Sequence, residues 1–157
     1  MKQLFLIRHG KATHEAMPDI KRYLTDKGIK RTQKHARILT EKGLKPDLII
    51  SSPAIRAFQT AEILAETLQY PKKDIVIDPK FYFFPQEEVT NQIENIPDRY
   101  KRVFLVGHNP IWTDLSDQLS ENGLWHLRTS GIFGVEFDTD TWQNVFQAPR
   151  KNLITIN

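Results

Sequence analysis

Cysteine is absent from the 157 residues of this chain. A disulfide framework, a thiolate nucleophile and a zinc–cysteine site are therefore excluded. Long apolar runs are absent as well, since none approaches the roughly 18 residues that a membrane-spanning helix needs. The first apolar run, Leu4 to Ile7, is too short for a secretion signal and is followed directly by Arg8 and His9. Together these absences predict a cytoplasmic protein that does not associate with membranes.

Several common ligand-binding motifs are also missing. The chain has only 7 glycines, and they form neither a phosphate-binding loop nor a dinucleotide fingerprint. His9, His14 and Glu15 are close in sequence, but they lack the His-Glu-x-x-His spacing of zinc hydrolases. We therefore expect neither a metal ion nor a cofactor.

The excess of positive charge is small, with a formal net charge of +3. Basic residues are densest at 27–31 and 99–102, and the others are spread along the chain. Nucleic-acid-binding domains usually gather their basic residues on one face or in one stripe, so we expect no nucleic-acid partner. The same excess favours the approach of an anionic substrate.

Strand-like and helix-like segments alternate along most of the chain. Short apolar runs predict buried strands at 3–7, 48–50 and 103–106 and a short strand at 75–77. Apolar residues at three- and four-residue steps predict helices at about 25–42, 54–69 and 86–96, and from 110 onward. This alternation predicts a single α/β domain over residues 1–157. We expect a three-layer sandwich, with a mostly parallel central sheet and helices on both faces.

The C-terminal part has a different pattern. Residues 131–137 and 141–146 predict an antiparallel hairpin at the edge of the sheet, turning at 138–140. The aromatic run Phe81–Phe84 is predicted to pack in the core and along the sheet edge. His35 and His126 are predicted to lie on the surface.

Three of the predicted strands end in polar residues suited to binding phosphate. The first ends in Arg8 and His9, the second in a serine pair followed by Arg56, and the fourth in His108 and Asn109. The carboxyl ends of parallel strands lie at one edge of a sheet, where ligands bind. Guanidinium groups present paired donors to phosphate oxygens, and an imidazole nitrogen can attack phosphorus. The three strand ends therefore predict a phosphoryl-transfer site.

Each strand end also has a simpler interpretation. Arg8 and His9 could form a solvated turn, and Asn109 with Pro110 could simply cap a helix. Arg56 in a first helical turn is unfavourable against the helix dipole, so we expect a compensating anion beside it. The joint occurrence at three strand ends favours the functional interpretation.

The motifs at these strand ends resemble those of the histidine phosphatase superfamily. The matching segments are Leu6-Ile7-Arg8-His9-Gly10, Ser51-Ser52-Pro53-Ala54-Ile55-Arg56-Ala57-Phe58-Gln59-Thr60-Ala61 and Val106-Gly107-His108-Asn109-Pro110. The sequence is most similar to the short SixA-type phosphohistidine phosphatases, in which a stretch like residues 19–28 also recurs.

The resemblance implies that His9 accepts the phosphoryl group and that no metal is needed. It also implies that Arg8, Arg56 and His108 complete the phosphate pocket. Arg22 and Asn109 are further candidates for substrate binding. The wider superfamily usually supplies an acidic residue as general acid after the third strand. Glu87 and Glu88 lie there, either as that acid or simply as acids in the first turn of a helix.

The preferred substrate is a phosphohistidine domain of another protein. The lack of a clear general acid weakens the case for an ester, and a short chain without a lid insertion suits a phosphate presented on a protein. One alternative is a phosphatase for a small phosphate ester or a phosphoserine-type protein. Another is a non-catalytic phosphate-binding module. Nothing in the sequence specifies an oligomeric state.

Overall fold

A computed structural model describes residues 1–157, and its centre is a six-stranded sheet. The strands are β1 (Lys2–Arg8), β2 (Leu48–Ser51), β3 (Val76–Ile77), β4 (Arg102–Gly107), β5 (Ile132–Phe137) and β6 (Arg150–Ile156). Their order in the sheet is β3-β2-β4-β1-β5-β6. The first four pair in parallel, whereas β5 runs antiparallel to both β1 and β6. The predicted mostly parallel sheet with an antiparallel C-terminal edge is therefore confirmed.

Four α-helices connect or follow the strands. They are α1 (Asp26–Glu41), α2 (Ile55–Thr67), α3 (Gln86–Glu94) and α4 (Ile111–Leu119). Short 3₁₀ turns occur at Asp19–Lys21, Lys72–Asp74, Pro79–Phe81 and Trp142–Gln147. None of the helices combines the length and the apolar character needed to cross a membrane.

The sheet separates two hydrophobic cores. Alternate residues of a strand point to opposite faces, so β1 sends Leu4 and Leu6 to one core and Phe5 and Ile7 to the other. The first core includes residues of α3 and α4, and the second includes residues of α1 and α2. All four of these β1 side chains are almost completely buried. Helices thus cover both faces of the sheet, as a near-continuous apolar strand requires.

The first helix begins and ends where the sequence predicts. The Thr25 side chain accepts a hydrogen bond from the Gly28 amide at 3.1 Å and caps the N-terminus of α1. Gly43 follows the helix with a φ of +68°, the left-handed conformation that glycine adopts at low cost.

The predicted C-terminal hairpin was wrong in its second strand. Residues 142–147 form a 3₁₀ turn, and the strand that pairs with β5 is β6, at Arg150–Ile156. Trp142 explains the difference, because its indole is fully buried and donates to the Tyr100 carbonyl at 2.7 Å. A turn lets both Trp142 and Val145 enter the core from the same side, which alternating strand residues cannot do.

The prediction for His35 was also wrong. Its side chain is 4% exposed, and Nδ1 donates to the Ser130 carbonyl at 2.6 Å. Burial lowers the pKa of His35. The aromatic run divides: Phe81 enters the core as predicted, while Phe83 and Phe84 stay substantially exposed. His126 lies on the surface, as predicted.

Candidate active site

The three polar strand ends meet at one edge of the sheet. β4 lies between β1 and β2, and the register pairs Arg8 with Gly107 and Ser51 with Val106. The residues that follow these positions therefore open into a common cavity of about 350 Å³. It is lined by Arg8, His9, Lys11, Ala12, His14, Asp19, Arg22, Arg56, Phe83, His108, Asn109 and Thr129.

His9 is held as a neutral imidazole with one unprotonated nitrogen. Its Nδ1 lies 2.7 Å from the Gly10 carbonyl, which can only accept, so Nδ1 carries the proton. The unprotonated Nε2 accepts a long hydrogen bond, of 3.4 Å, from the Nε of Arg56. Burial lowers the pKa of His9 to about 4, helped by the charges of Arg56, Arg8 and Arg22 and opposed by the bond to Gly10. At neutral pH this side chain is therefore an uncharged imidazole rather than a cation.

His108 lies beside His9 as a second neutral imidazole. The two ring centroids are 5.1 Å apart. The Nδ1 of His108 is 3.4 Å from an Arg56 amino group, which can only donate. The other nitrogen, Nε2, therefore carries the proton and donates to Ser52 Oγ at 2.7 Å. Burial, followed by the charges of His9 and Arg56, lowers the pKa of His108 to about 3.

Arg56 is buried in the first turn of α2 and connects both histidines to Asp19. Its Nη1 donates to the Asp19 backbone carbonyl at 2.8 Å, and its Nη2 forms an ion pair with the Asp19 carboxylate at 3.0 Å. Only 2% of Arg56 is exposed. Asp19 is thus the anion expected beside an arginine at this end of a helix.

Asp19 was missed by the sequence analysis. Its carboxylate also accepts from Arg22 Nη1 at 3.1 Å and from the Tyr82 hydroxyl at 2.7 Å. Burial alone would raise the pKa of Asp19, but the hydrogen bonds from Tyr82, Arg56 and Arg22 outweigh it and lower the pKa to about 2. The resemblance of residues 19–28 to the family could have indicated Asp19, which begins that stretch, but only Arg22 was inferred from it.

Arg8 and Arg22 bring two more guanidinium groups to the cavity. Arg8 Nη1 donates to the Leu127 carbonyl at 3.2 Å, while its Nε is buried without a hydrogen-bond partner. Burial lowers the pKa of Arg8. Arg22 Nε donates to the Thr13 carbonyl at 2.7 Å. The three predicted arginines therefore line one cavity.

Asn109 lines the cavity, but its side chain is largely engaged by neighbouring residues. Its Oδ1 accepts from the backbone amide and the hydroxyl of Thr113, and its Nδ2 donates to the Leu127 carbonyl at 3.0 Å. The residue that precedes α4 is Pro110 rather than Asn109. The helix therefore begins one residue later than predicted, and the Asn109 side chain binds its first turn from outside the helix.

Glu87 and Glu88 do not line the cavity, contrary to the prediction that one of them acts there as general acid. Both lie in the first turn of α3, and the Glu88 carboxylate forms an ion pair with Lys80 at 2.9 Å. The alternative interpretation, helix acids at an N-terminus, fits their positions. Asp19 is the only carboxylate that lines the cavity.

Phe83 is a second cavity residue that the sequence analysis missed. Its ring centroid lies 4.9 Å from that of His108, and 55% of the residue is exposed. Its backbone has a φ of +58°, a conformation that non-glycine residues rarely adopt. The aromatic run indicated core packing, and no pattern in it distinguished a ring that borders the cavity.

No group of three or more histidine, aspartate or glutamate side chains is arranged to hold a metal ion.

Solved structures with the same fold include phosphatases. SixA, a protein histidine phosphatase complexed with tungstate, matches with a TM-score of 0.84 and 22% identity, covering 99% of this chain and 96% of that chain. A mycobacterial glucosyl-3-phosphoglycerate phosphatase matches with a TM-score of 0.68 and 14% identity, covering 98% of each chain. At these identities the likeness establishes the fold, including its mostly parallel sheet.

Sequence comparisons establish the family. An uncharacterized protein of Picosynechococcus is 32% identical over 140 residues, covering 85% of this chain and 84% of that protein. The serine/threonine-protein phosphatase Pgam5 of Drosophila ananassae is 32% identical over 75 residues, 48% of this chain and 26% of its own length. This chain therefore spans about a quarter of the fly protein. The model of the histidine phosphatase superfamily (branch 1) matches residues 4–82. With half of its length matching that model, the chain belongs to branch 1 of the histidine phosphatase superfamily.

Proposed function

We propose that the protein is a phosphatase that transfers a phosphoryl group first to His9 and then to water. The observation that carries this proposal is the state of His9. Its Nδ1–H is fixed on the Gly10 carbonyl, and its Nε2 lone pair lies at a cavity surrounded by arginines. A neutral imidazole in that arrangement is a nucleophile placed among groups that attract its target.

The arginines supply the positive charge that the reaction needs. Two of the N–H groups of Arg56 bind Asp19, whereas its contacts with His9 and His108 are long, at 3.4 Å. A phosphoryl oxygen can replace those long contacts without disturbing Asp19. Arg8 also lines the cavity and adds a third guanidinium together with Arg22. Because guanidinium donors already surround the phosphoryl oxygens, the proposed reaction needs no metal ion.

The reaction proceeds in two displacements. In the first, Nε2 of His9 forms a bond to phosphorus as the bond between phosphorus and the leaving group breaks, and the leaving group takes a proton. In the second, water attacks phosphorus and the bond to Nε2 breaks. Inorganic phosphate leaves with the oxygen of water, and His9 returns to its neutral form.

We further propose that the leaving group is the histidine of another protein. An ester needs a protonated acid beside its leaving oxygen, and the only carboxylate in the cavity, Asp19, has its pKa lowered to about 2. At neutral pH it therefore has no proton to give. The imidazole of phosphohistidine can take its proton from solvent, so it depends less on such an acid.

A second candidate is a phosphatase for phosphoserine or phosphothreonine in proteins. It is favoured by the similarity of this chain to the serine/threonine-protein phosphatase Pgam5, although only 48% of the chain takes part in that match. In this case the proton for the serine or threonine oxygen would have to come from water or from the substrate itself.

The test compares three substrates in excess chelator: a phosphohistidine protein, a phosphoserine peptide and an aryl phosphate. We expect the phosphohistidine protein to give the highest kcat/KM, chelator to have no effect, and His9→Ala to be inactive on all three. A higher kcat/KM for the phosphoserine peptide would favour the second candidate. Activity lost in chelator and restored by a divalent metal would contradict metal independence. Activity retained by His9→Ala would contradict the nucleophile.

A further inference from the structure

A second concave surface adjoins the cavity, and its lining is almost entirely basic. Its volume is about 660 Å³, and seven of its nine residues are lysine or arginine. The residues of this basic groove are Arg8, Lys11, Lys27, Lys30, Arg31, Lys34, His126, Arg128 and Thr129. No carboxylate lies among them. The groove is therefore a surface of strong positive potential next to the phosphoryl site.

Four of the seven cations of the basic groove come from one face of α1. Lys27, Lys30, Arg31 and Lys34 are spaced by three and four residues, so their side chains are neighbours on the helix surface. Like charges at these spacings repel one another and destabilise the helix. The helix begins at Asp26 and ends at Glu41, but neither carboxylate forms an ion pair with these four side chains.

The rest of the protein does not neutralise the groove either. None of the six ion pairs in the structure involves a groove residue. Arg8 and Arg31 donate only to backbone carbonyls, those of Leu127 and Thr129. The positive charge of the groove is thus left for an external anion.

The groove and the catalytic cavity share a wall. Arg8, Lys11 and Thr129 line both. A molecule whose phosphoryl group reaches His9 would therefore place its neighbouring groups in the groove. Because the two sites adjoin, one molecule is able to occupy both.

The composition of the groove distinguishes between kinds of anion. Four of its seven cations are lysines, all exposed, which carry their charge on flexible stems. No phenylalanine, tyrosine, tryptophan or apolar residue lines the groove, and its one aromatic ring is the imidazole of His126, so it offers no row of rings on which successive bases could stack. Exposed, hydrated charges suit the carboxylates of an acidic protein surface.

We infer that the basic groove binds a carboxylate-rich surface beside the phosphorylated residue of the substrate protein. This inference rests on the proposed function, since it names the kind of protein that the catalytic cavity would act on. The groove sets the substrate preference and the rate of association, while the cavity performs the chemistry.

The test uses two phosphohistidine peptides of equal length, one with aspartate and glutamate around the phosphorylated residue and one with serine and glutamine. We expect kcat/KM for the acidic peptide to be about tenfold higher at low salt, and the difference to disappear at high salt. The variant Lys30→Gln/Lys34→Gln should lower this preference by roughly fivefold. The matched control Lys73→Gln/Lys101→Gln removes the same charge from exposed positions outside the groove and should leave the preference unchanged.

Binding of the unphosphorylated acidic peptide, followed by fluorescence anisotropy, separates this inference from the proposed function. Groove-dependent binding without hydrolysis of either phosphopeptide would support the groove and contradict the proposed substrate. Equal kcat/KM values for the two peptides, or an equal loss of preference in the control variant, would overturn the inference. Groove-dependent binding of inorganic tripolyphosphate but not of the acidic peptide would also overturn it, in favour of a small polyphosphate ligand.

Discussion

The Nε of Arg56 lies 3.4 Å from the Nε2 of His9. This contact joins the buried cation of α2 to the free nitrogen at the end of β1. Burial is the main cause of the lowered pKa of His9, and the positive charge of Arg56 acts in the same direction. The same guanidinium holds Asp19 with its amino groups, which fixes its orientation. Arg56 thus favours the neutral form of His9 and, in the proposed reaction, binds the phosphoryl group.

Replacing Arg56 with lysine should reduce activity although the charge is kept. A lysine ammonium cannot bind Asp19 with two nitrogens while also reaching His9 and His108. We expect kcat/KM for an aryl phosphate to fall about 100-fold or more. The matched control is Arg102→Lys, since Arg102 binds Gln3 and Lys45 outside the cavity, and its activity should stay within about twofold. Similar activities for the two variants would show that the fork of Arg56 is unimportant.

Ser52 and Ser116 should respond differently to replacement by alanine. Ser52 Oγ accepts from His108 Nε2, whereas Ser116 Oγ is buried without a partner. Removing the Ser52 hydroxyl leaves the buried imidazole N–H of His108 and the backbone amide of Ala54 without their acceptor, which costs about 1–3 kcal/mol of unfolding free energy. Removing the unpaired hydroxyl of Ser116 should change it by less than about 0.5 kcal/mol.

Urea denaturation of the two alanine variants measures the difference in unfolding free energy. Phosphatase assays measure the accompanying effect on activity. Ser52→Ala should also lose activity, because His108 is no longer held in one tautomer. Ser116→Ala should keep it. Equal unfolding free energies for the two variants would contradict the assigned hydrogen bond to His108.

The two active-site histidines should make the protein less stable in acid. The pKa of His9 is lowered to about 4 from its usual 6.5, so between these values the unfolded chain binds more protons than the folded one. Stability therefore falls as the pH drops from 7 towards 4. For His9 the loss between pH 7 and pH 5 is about 2 kcal/mol, and His108 adds a loss of the same sign.

The contribution of His9 is measured by comparing urea denaturation at pH 7 and pH 5. His9→Asn keeps a donor for the Gly10 carbonyl but has no group that titrates in this range. It should lose about 2 kcal/mol less than the wild type between the two pH values. The control His126→Asn removes an exposed histidine and should behave as the wild type does. Identical losses of unfolding free energy in His9→Asn and the wild type would show that the pKa of His9 is not lowered.

Much of the fold could be predicted because its strands are buried on both faces. The strands β1, β2 and β4 each contain an uninterrupted apolar run, which is typical of buried parallel strands. The second strand of the C-terminal hairpin was misplaced because Trp142 and Val145 follow a turn whose geometry depends on distant partners. Tyr100 and Asp98 bind Trp142 from more than forty positions away.

The candidate site could likewise be predicted only in part. Arg8, His9, Arg56 and His108 lie at strand ends or in a first helical turn, where topology alone brings them together. Asp19 and Phe83 lie in irregular segments that no hydrophobic period describes. Their places in the cavity follow from contacts with Arg56, Tyr82 and His108. The sequence left two roles open for Glu87 and Glu88, general acid or helix acids, because the path of the chain before α3 could not be read from it.

Trapping of the phosphorylated enzyme tests the central claim most directly. Wild-type protein is mixed with an aryl phosphate or a phosphohistidine peptide, quenched within one turnover under alkaline conditions, digested and analysed by mass spectrometry. We predict one phosphoryl group, carried by the imidazole of His9 and absent from His9→Ala. Turnover of substrate with no phosphorylated intermediate, or with the phosphoryl group on another residue, would contradict the account.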